Sequence, residues 1–462
     1  MGLTGFVFLI AYVAGLALAF FRHPNYGLYT YIAVFYLHPP SRWWGAFLPG
    51  IRWSLIAAAI AMIAALRLPP DKDRPAWYST PPAKILIAFT IWMWIQNLWA
   101  LAPEVHFEAS VLFTKYIVLF FLIYRLVRTP DEIRWFLVAH VAGCAYLGWL
   151  GYTAVMSGRL EGVGGPGIDE ANALAMHLAT AVMIGSMLVL VERRWAMWIS
   201  LAAMPFMLNA IVLAGSRGAF LAILVGAFVL WSAKPSTHVR LFYGLASLGL
   251  VLFLTLAHDV FWERMSTIKT AVGGSEEMDT SAESRLVLIA AQWKMAREYP
   301  MGTGHRGTEV LSPLYIDQKY MSLQRNGSGA VGRRSSHNTF MTALVEQGFP
   351  GAVLFVMMWG WCAREIVRLK RIGRAWSPQV TAQIAGIGAA LAVVFVAGMF
   401  VDYLKTEVQA WLWSLLACLG GLATEARMSP QDTDQRPGRV TRQAFPRTAH
   451  SGSTAHQKPA RM

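Results

Sequence analysis

Apolar runs alternate with short polar connections along most of the chain, and most of the runs are long enough for a helix that crosses a bilayer. Ten come first, at about 3–21, 26–46, 52–66, 85–101, 110–127, 133–156, 171–191, 195–214, 218–232 and 241–257. Three more follow, at about 349–367, 380–400 and 406–423. The pattern predicts an all-α polytopic membrane protein with about 12 to 13 transmembrane helices. The number depends on segment 26–46, which is re-entrant if His38-Pro39-Pro40 breaks it.

The longest polar stretch divides the predicted helices into two groups. Residues 258–348 are rich in Gly, Ser, Arg and Glu, and no window there is apolar enough to span a membrane. We therefore predict transmembrane helices in 1–257, a large external loop with amphipathic helices in 258–348, and the final three transmembrane helices in 349–424. Residues 425–462 predict a basic, disordered cytoplasmic tail.

Composition supports the membrane class and changes how the charge is interpreted. The chain is 56% hydrophobic and only 14% charged, which is too apolar for an ordinary soluble enzyme. Its net charge of +14 comes from basic clusters between apolar runs, so it indicates membrane topology rather than nucleic-acid binding. The positive-inside rule places the 258–348 loop outside and the C-terminus inside. The first run lacks a basic leader and a cleavage site, so we predict a retained span.

Arg217 is predicted on the external side, although the positive-inside rule favours basic residues on the internal side. Arg217 lies in Gly215-Ser216-Arg217-Gly218, a tight connection between two predicted spans. Flanking glycines allow backbone N–H groups and one guanidinium to converge on an anionic oxygen. The alternative is a snorkelling arginine that anchors a helix end.

The external loop contains a predicted helix that begins near Arg285. Its apolar stripe predicts a face that docks on the membrane part, which would put Arg285 beside the docked face. The stripe consists of Leu286, Ile289, Ala290, Trp293 and Ala296. A solvated helix with ion pairs explains the same pattern nearly as well. Pro300-Met301-Gly302-Thr303-Gly304 predicts a flexible turn after the helix.

A histidine lies where the external loop returns to the membrane. Ser335 or Ser336 is expected to cap the helix that follows, so His337 would lie at a helix N-terminus. The helix dipole lowers the pKa of such a histidine and keeps its ring neutral, as a general base requires. A polar cap that merely contains a histidine is the alternative.

Other polar residues have weaker claims to a site. His305, Arg306, Arg333 and Arg334 are candidate substrate-binding residues of the external loop, with solvent exposure as the alternative, and Arg325 belongs to the same set. Asp402 and Lys405 are predicted to orient a sugar or to anchor a helix end. No Asp-x-Asp occurs in the external loop, and Cys144, Cys362 and Cys418 show no CxxC spacing. The sequence therefore predicts a site without metal or cofactor, and no zinc site or disulfide framework.

The Gly-Ser-Arg-Gly turn, the Ser-Arg helix that ends in Pro-x-Gly-x-Gly, and Ser-His-Asn followed by Glu-x-Gly-x-x-Gly resemble the O-antigen ligase and polymerase family of bacterial membrane glycosyltransferases. Segment 169–175 resembles the family's outer helix start and contributes Asn172. Segment 36–45 is similar to a subgroup of O-glycosylation ligases, which leaves the acceptor open.

The resemblance implies an inverting, metal-independent transfer of a glycan from undecaprenyl diphosphate to the lipid A core oligosaccharide, in the assembly of lipopolysaccharide. It implies that Arg217 and Arg285 bind the diphosphate and that His337 is the general base. Asn338, Asn172 and the basic loop residues named above are expected to bind substrate. The implied location is the bacterial inner membrane, with the active site at the periplasmic face, membrane lipids as partners and no nucleic acid.

Four other functions remain open from the sequence. An O-antigen polymerase or a protein O-glycosylation ligase would use the same lipid-linked donor with a different acceptor. A lipid or anion transporter would also need arginines, but in a cavity at the membrane midplane. A non-catalytic scaffold of the cell envelope would tolerate replacement of His337.

Overall fold

The computed structural model describes residues 2–72, 74–154, 159–163, 168–191, 195–233, 280–321, 332–373, 377–406 and 408–428, with single helical positions between 243 and 255. All regular secondary structure within these residues is helical, which confirms the all-α fold class. Predictions for the tail beyond 428, for most of 241–279 and for Arg325 lie outside the described residues.

Among the described residues, nine helices with defined bounds come before the external loop: α1 Leu3–Phe21, α2 Asn25–Leu37, α3 Trp53–Leu66, α4 Pro81–Gln96, α5 Pro103–Leu126, α6 Pro130–Thr153, α7 Ala171–Val191, α8 Trp195–Ala214 and α9 Arg217–Ala233. The described part of the loop contains α10 Thr280–Glu298, α11 Gly307–Tyr315 and α12 Thr339–Glu346. After it come α13 Gly348–Gly373, α14 Pro378–Ala397 and α15 Gln409–Met428. Short 3-10 turns lie at Pro39–Ser41, Trp43–Gly45, Trp77–Ser79, Gln318–Tyr320 and Tyr403–Lys405.

Six of the described helices are long and apolar enough to cross a membrane: α1, α5, α6, α7, α8 and α14. Helices α3 and α9 are apolar but shorter. The prediction of about 12 spans is therefore not confirmed. Segment 26–46 is not one helix, because α2 ends where His38 adopts a left-handed backbone conformation with φ 42° and the two prolines open a 3-10 turn. The last predicted span also differs, since α15 continues to Met428 across the predicted start of the tail.

Helices α7, α14 and α15 form the centre of the bundle, and nearly all of their residues are buried. Small residues let these helices approach closely. A Cβ on Gly386 of α14 would lie 2.9 Å from the side chain of Met187 on α7, and one on Gly226 of α9 would lie 2.7 Å from Val393. In a bilayer, where lipid replaces water, such close packing is a main source of helix association.

The helices of the external loop have an apolar core of their own, and the predicted docking stripe of α10 is wrong. Leu286 is 58% exposed and Trp293 45% exposed, and Ile289 and Ala290 are also exposed. Of the predicted stripe, only Ala296 is buried. The buried apolar residues of this core, from α10 to α12, are Leu288, Ala291, Met295, Ala296, Leu311, Ile316 and Val345. Because α11 and α12 supply the packing partners, the opposite side of α10 is the one that becomes buried.

Candidate functional site

The predicted site residues gather at one end of the helix bundle, where α6, α8 and α14 end and α7, α9 and α15 begin. Hydrogen bonds connect the segments there. Arg159 donates from Nε to the carbonyl of Ala214 at 3.0 Å, and the Thr339 amide donates to the carbonyl of Gly398 at 2.7 Å. The loops at this end are thus held against one another.

His337 lies just before α12, with its side chain about 33% exposed. The helix cap is Asn338, whose Oδ1 accepts from the amides of Phe340 and Met341 at 2.9 and 3.1 Å. The predicted serine caps are wrong. Ser335 donates to Glu309 at 2.7 Å, and Ser336 accepts from Gln292 at 2.9 Å. An amide side chain next to the first helical turn satisfies the same N–H groups that a serine would.

The ring of His337 is neutral at physiological pH. Burial and the nearby charges of Arg285, Arg334, Lys405 and Arg159, in decreasing order, lower its pKa from 6.5 to about 4. The predicted neutrality therefore arises mainly from burial and surrounding cations rather than from a helix dipole alone. A histidine with this pKa is unprotonated near pH 7 and can accept a proton.

Glu170 and Asn172 connect His337 to Arg159, an arginine that was not predicted as a site residue. Glu170 Oε1 lies 3.9 Å from His337 Nδ1 and accepts a hydrogen bond from Asn172 Nδ2 at 3.3 Å. Asn172 Oδ1 in turn accepts from Arg159 at 2.9 Å. The sequence did contain a signal for Arg159. Like Arg217, it lies in a predicted external connection, although the positive-inside rule favours basic residues on the internal side.

Arg285 lies on α10 and is half-buried, and its charge is the largest electrostatic influence on His337 after burial. Arg334 ties the same helix to the His337 loop, since its guanidinium donates to Ser284 Oγ at 3.1 Å. Its amide also donates to Ser312 Oγ at 2.8 Å. Its neighbour Arg333 is exposed.

Arg217 is the first residue of α9, and Gly215 before it has φ 56°, a left-handed conformation that favours glycine. Gly218 permits close contact, because a Cβ there would lie 2.5 Å from the Cβ of Phe400. The Arg217 turn thus lies against the segment that leads to Asp402. Asp402 accepts a hydrogen bond from Thr342 of α12 at 2.8 Å, so the turn and the His337 loop belong to one packed region.

A buried lysine forms the centre of a second polar group. Lys405 Nζ lies 3.2 Å from Glu309, 3.3 Å from Glu346 and 3.2 Å from Asp402, and all four side chains are at most 7% exposed. Burial opposes the charge of Lys405, but the three carboxyl groups raise its pKa. Burial and then Glu346 raise the pKa of Asp402 to about 7, against the influence of Lys405.

Two of the candidate substrate-binding residues belong to this lysine-centred group. His305 is buried; its amide donates to His106 Nδ1 at 2.8 Å, and its ring Nδ1 lies 3.7 Å from Glu346. Burial, and after it the charges of Lys405 and Arg306, lower its pKa. The Arg306 amide donates to Glu346 at 2.9 Å from a left-handed backbone conformation. In this arrangement His305 and Arg306 bind other protein groups.

Two neighbouring cavities share part of their lining. A cavity of about 390 Å³ is walled by residues such as Leu55, Met62 and Leu119 and extends to Ile168, two residues before Glu170. A second, of about 680 Å³, shares His38, Leu55 and Lys115 with it. A mainly apolar cavity whose lining includes basic Lys115 suits an anionic lipid.

Segment 36–45, which resembles O-glycosylation ligases, contributes His38 to the lining of both cavities. His38 Nδ1 is 2.7 Å from Ser41 Oγ, and Arg42 donates to the carbonyl of Val163 at 3.0 Å.

Among the described residues, three side chains that could share a metal ion lie inside α6 and α7.

Comparison with known proteins adds a family relationship. A family model described as O-antigen ligase matches residues 202–356, a range that contains Arg217, Arg285 and His337. This match confirms the resemblance drawn from those motifs. A chain in the solved structure described as "Structural coordination of polymerization and crosslinking by a peptidoglycan synthase complex" is 14% identical, with a TM-score of 0.39, over 76% of this chain and 98% of its own. The comparison with curated proteins gives no match.

Proposed function

We propose that this chain, whose residues 202–356 match a family model described as O-antigen ligase, is a member of that family and transfers a glycan from undecaprenyl diphosphate to the lipid A core oligosaccharide. The family is one of ligase- or polymerase-type membrane glycosyltransferases. The observation that carries the proposal is a neutral histidine surrounded by arginines at one end of a membrane helix bundle. That arrangement combines a base with cations that bind a diphosphate.

The reaction is a single displacement. His337 removes the proton from the acceptor hydroxyl, and the hydroxyl oxygen forms a bond to the anomeric carbon of the donor sugar. The bond between that carbon and the diphosphate oxygen breaks, and its electron pair stays on the diphosphate. Because attack and departure take place on opposite faces, the configuration of the sugar inverts.

The groups around His337 suit this role. Glu170 lies 3.9 Å from Nδ1, so it favours a proton on Nδ1 and leaves Nε2 free to act as the base. Once Nε2 has taken the acceptor proton, the same carboxylate stabilises the imidazolium. The neighbouring cations hold the ring neutral beforehand, and their charge favours a bound diphosphate more strongly than a neutral acceptor.

Arg217 and Arg285 are assigned to the diphosphate. A guanidinium presents two parallel N–H donors to an oxyanion, and the charge it meets grows as the glycosidic bond breaks. The cavity that ends near Glu170 holds the polyprenyl chain. The placement of these arginines at one end of the bundle favours an enzyme over a transporter, whose site would lie near the midplane.

The acceptor is tested with purified full-length protein and an undecaprenyl diphosphate-linked glycan. The glycan is offered separately to lipid A core, to an acceptor protein and to a second lipid-linked glycan, and the products are separated by mass. Extension of lipid A core is expected. Extension of only one of the other acceptors would replace ligation to lipid A core with protein glycosylation or polymerisation, and no product with any acceptor would contradict glycosyl transfer.

A further inference from the structure

Four side chains that the proposed reaction does not use converge inside the membrane bundle. Tyr36 Oη of α2 lies 2.5 Å from His140 Nδ1 of α6, 3.0 Å from His177 Nε2 of α7 and 3.7 Å from Cys144 Sγ. The histidine and cysteine donor atoms all lie within 4.8 Å of one another, and the three residues are fully buried. We refer to Tyr36, His140, Cys144 and His177 as the inner cluster.

We propose that the inner cluster binds a divalent transition-metal ion of the zinc type. Two imidazole nitrogens, a thiolate and a phenolate are a donor set suited to a borderline-soft cation. Donors at about 2.0–2.3 Å from a tetrahedral zinc are separated by roughly 3.3–3.8 Å. The separations of Cys144 Sγ from Tyr36 Oη and His140 Nδ1, 3.7 and 3.9 Å, are close to this range, whereas Tyr36 Oη lies 2.5 and 3.0 Å from the imidazole nitrogens and has to move outward. Shifts of less than about an ångström convert the cluster into a coordination shell.

Thr180 orients the His140 donor as a metal ligand usually is. Thr180 Oγ1 donates to the carbonyl of His177 at 2.7 Å, so it accepts from His140 Nε2 at 3.0 Å. That bond fixes the His140 proton on Nε2 and turns the Nδ1 lone pair toward the centre of the cluster. A histidine ligand held through its other nitrogen is the common arrangement at metal sites.

Without a metal, the cluster is incompletely satisfied. His177 Nδ1 is buried with no hydrogen-bond partner among the described residues. The Cys144 thiol has contacts only at 3.7 to 3.9 Å, too long for strong hydrogen bonds. With a metal, His177 ligates through Nε2 and carries its proton on Nδ1, which still has no partner among the described residues, so the metal improves the bonding of the thiol and not of this nitrogen. Sγ then makes a strong bond to the ion.

Charge balance also suits the membrane interior. Binding of a dication displaces the thiol proton of Cys144 and the phenol proton of Tyr36, and both protons leave to solvent. Two anionic ligands and two neutral imidazoles then give a site with no net charge, which avoids the cost of a bare ion in a medium of low dielectric constant.

The packing around the cluster favours a closed, structural site. A Cβ on Gly143 would lie 2.1 Å from the Tyr36 ring, so this glycine provides the space that the ring occupies. The indole of Trp411 lies 4.0 Å from the His140 ring and covers it. Four protein ligands leave no open position, which is the pattern of a structural rather than a catalytic zinc. The ion would link α2, α6 and α7 to one another.

The test uses the full-length protein, expressed in zinc-supplemented medium, purified in detergent and dialysed against a chelator. Metal content is measured by mass spectrometry for wild type, Cys144→Ala and two matched controls, Cys362→Ala and Cys418→Ala, which remove buried thiols elsewhere. About one zinc per chain is expected in wild type and both controls, and about tenfold less in Cys144→Ala. A metal-free wild type, or equal zinc in Cys144→Ala, would overturn the proposal.

Two further measurements do not depend on how well Cys144→Ala folds. Wild-type protein produced with Co²⁺ should show the visible absorption of a tetrahedral site and a thiolate-to-cobalt charge-transfer band. Tyr36→Phe retains the ring and removes only the fourth ligand, so its zinc should be lost faster during dialysis. Absence of the charge-transfer band contradicts thiolate ligation, and unchanged zinc retention in Tyr36→Phe contradicts the four-ligand site.

Discussion

His337 carries its chemistry because of the groups around it rather than because of its position alone. Burial and four cations disfavour the imidazolium, while Glu170 offers a nearby anion that can stabilise it after proton transfer. The sequence predicts His337 as the base with a lowered pKa, and burial with the surrounding cations lowers that pKa in the structure. The same prediction assigned the cap to a serine and omitted Glu170 and Arg159, because contacts between loops distant in sequence leave no local pattern.

The rate should depend on pH through His337. Its pKa is lowered to about 4, so the neutral base is lost, and the rate falls, as the pH drops through about 4. Arg334→Ala removes one of the cations that disfavour the imidazolium, so the pKa rises and the acid limb of kcat/KM moves to higher pH. Arg297→Ala, which removes an exposed arginine of α10, is the control and should leave the limb in place. A limb that does not move in Arg334→Ala contradicts this role of the charge.

Arg217→Lys and Arg285→Lys test the diphosphate assignment. Lysine keeps the charge but loses the paired donors, and a charge-assisted hydrogen bond contributes about 1.5–3 kcal/mol. We therefore expect kcat/KM for the donor to fall roughly 10- to 100-fold. Arg297→Lys serves as the matched control. Either lysine variant with wild-type activity would remove that arginine from the diphosphate site.

At the scale of elements, Lys405 joins helices of the external loop to the membrane bundle. Its partners come from α11, α12 and the turn before α15, and none is more than 5% exposed. Removing one charge from such a group leaves the others buried without compensation. The cluster thus fixes the position of α12, whose first residues follow His337.

Lys405→Met is expected to destabilise the protein by roughly 3–5 kcal/mol, because it leaves three carboxyl groups without their cation. The midpoint of thermal denaturation in detergent should fall, whereas Lys319→Met, at an exposed lysine of the same loop, should change it little. Adding Asp402→Asn should recover part of the loss, since it removes one uncompensated acid. A double variant less stable than Lys405→Met would contradict the electrostatic explanation.

Apolar periodicity predicted some elements accurately and misjudged others for identifiable reasons. Helices α1, α7 and α8 have the predicted bounds, since each is a single apolar run between polar ends. The buried side of α10 was wrong because alanine and leucine occur on several of its faces, and only α11 and α12 decide which is covered. Glu309 and Glu346 were missed because they meet Lys405 from distant parts of the chain. A signal for the inner cluster did exist, since His140 and Cys144 are one helical turn apart.

On the scale of the whole molecule, the apolar cavity and the candidate site share a connecting segment. Lys115, apolar side chains and Ile168 line the cavity, and Ile168 precedes Glu170 by two residues in the connection before α7. The proposed function assigns the lipid tail of the donor to this cavity and its head group to the region of His337. On this proposal the donor is held by its chain as well as by its diphosphate.

Ala58→Trp should narrow that cavity, because Ala58 lines it and tryptophan adds a large ring. The KM for a donor with the full undecaprenyl chain should rise by about tenfold, and the KM for a donor with a short polyprenyl chain should rise less. Leu221→Trp, at an exposed position of α9, is the control for added bulk. Equal changes in the KM values for the long and short donors would contradict a role of this cavity in binding the lipid chain.

Transfer itself, measured with and without His337, tests the central claim most directly. Purified wild type, His337→Ala and His23→Ala, a control at an exposed histidine in the α1–α2 connection, receive the labelled lipid-linked glycan and lipid A core. We predict that His337→Ala lowers the rate of extended lipid A core formation by about 10²–10⁴, and that His23→Ala does not. A His337→Ala protein that forms product at the wild-type rate would contradict the account.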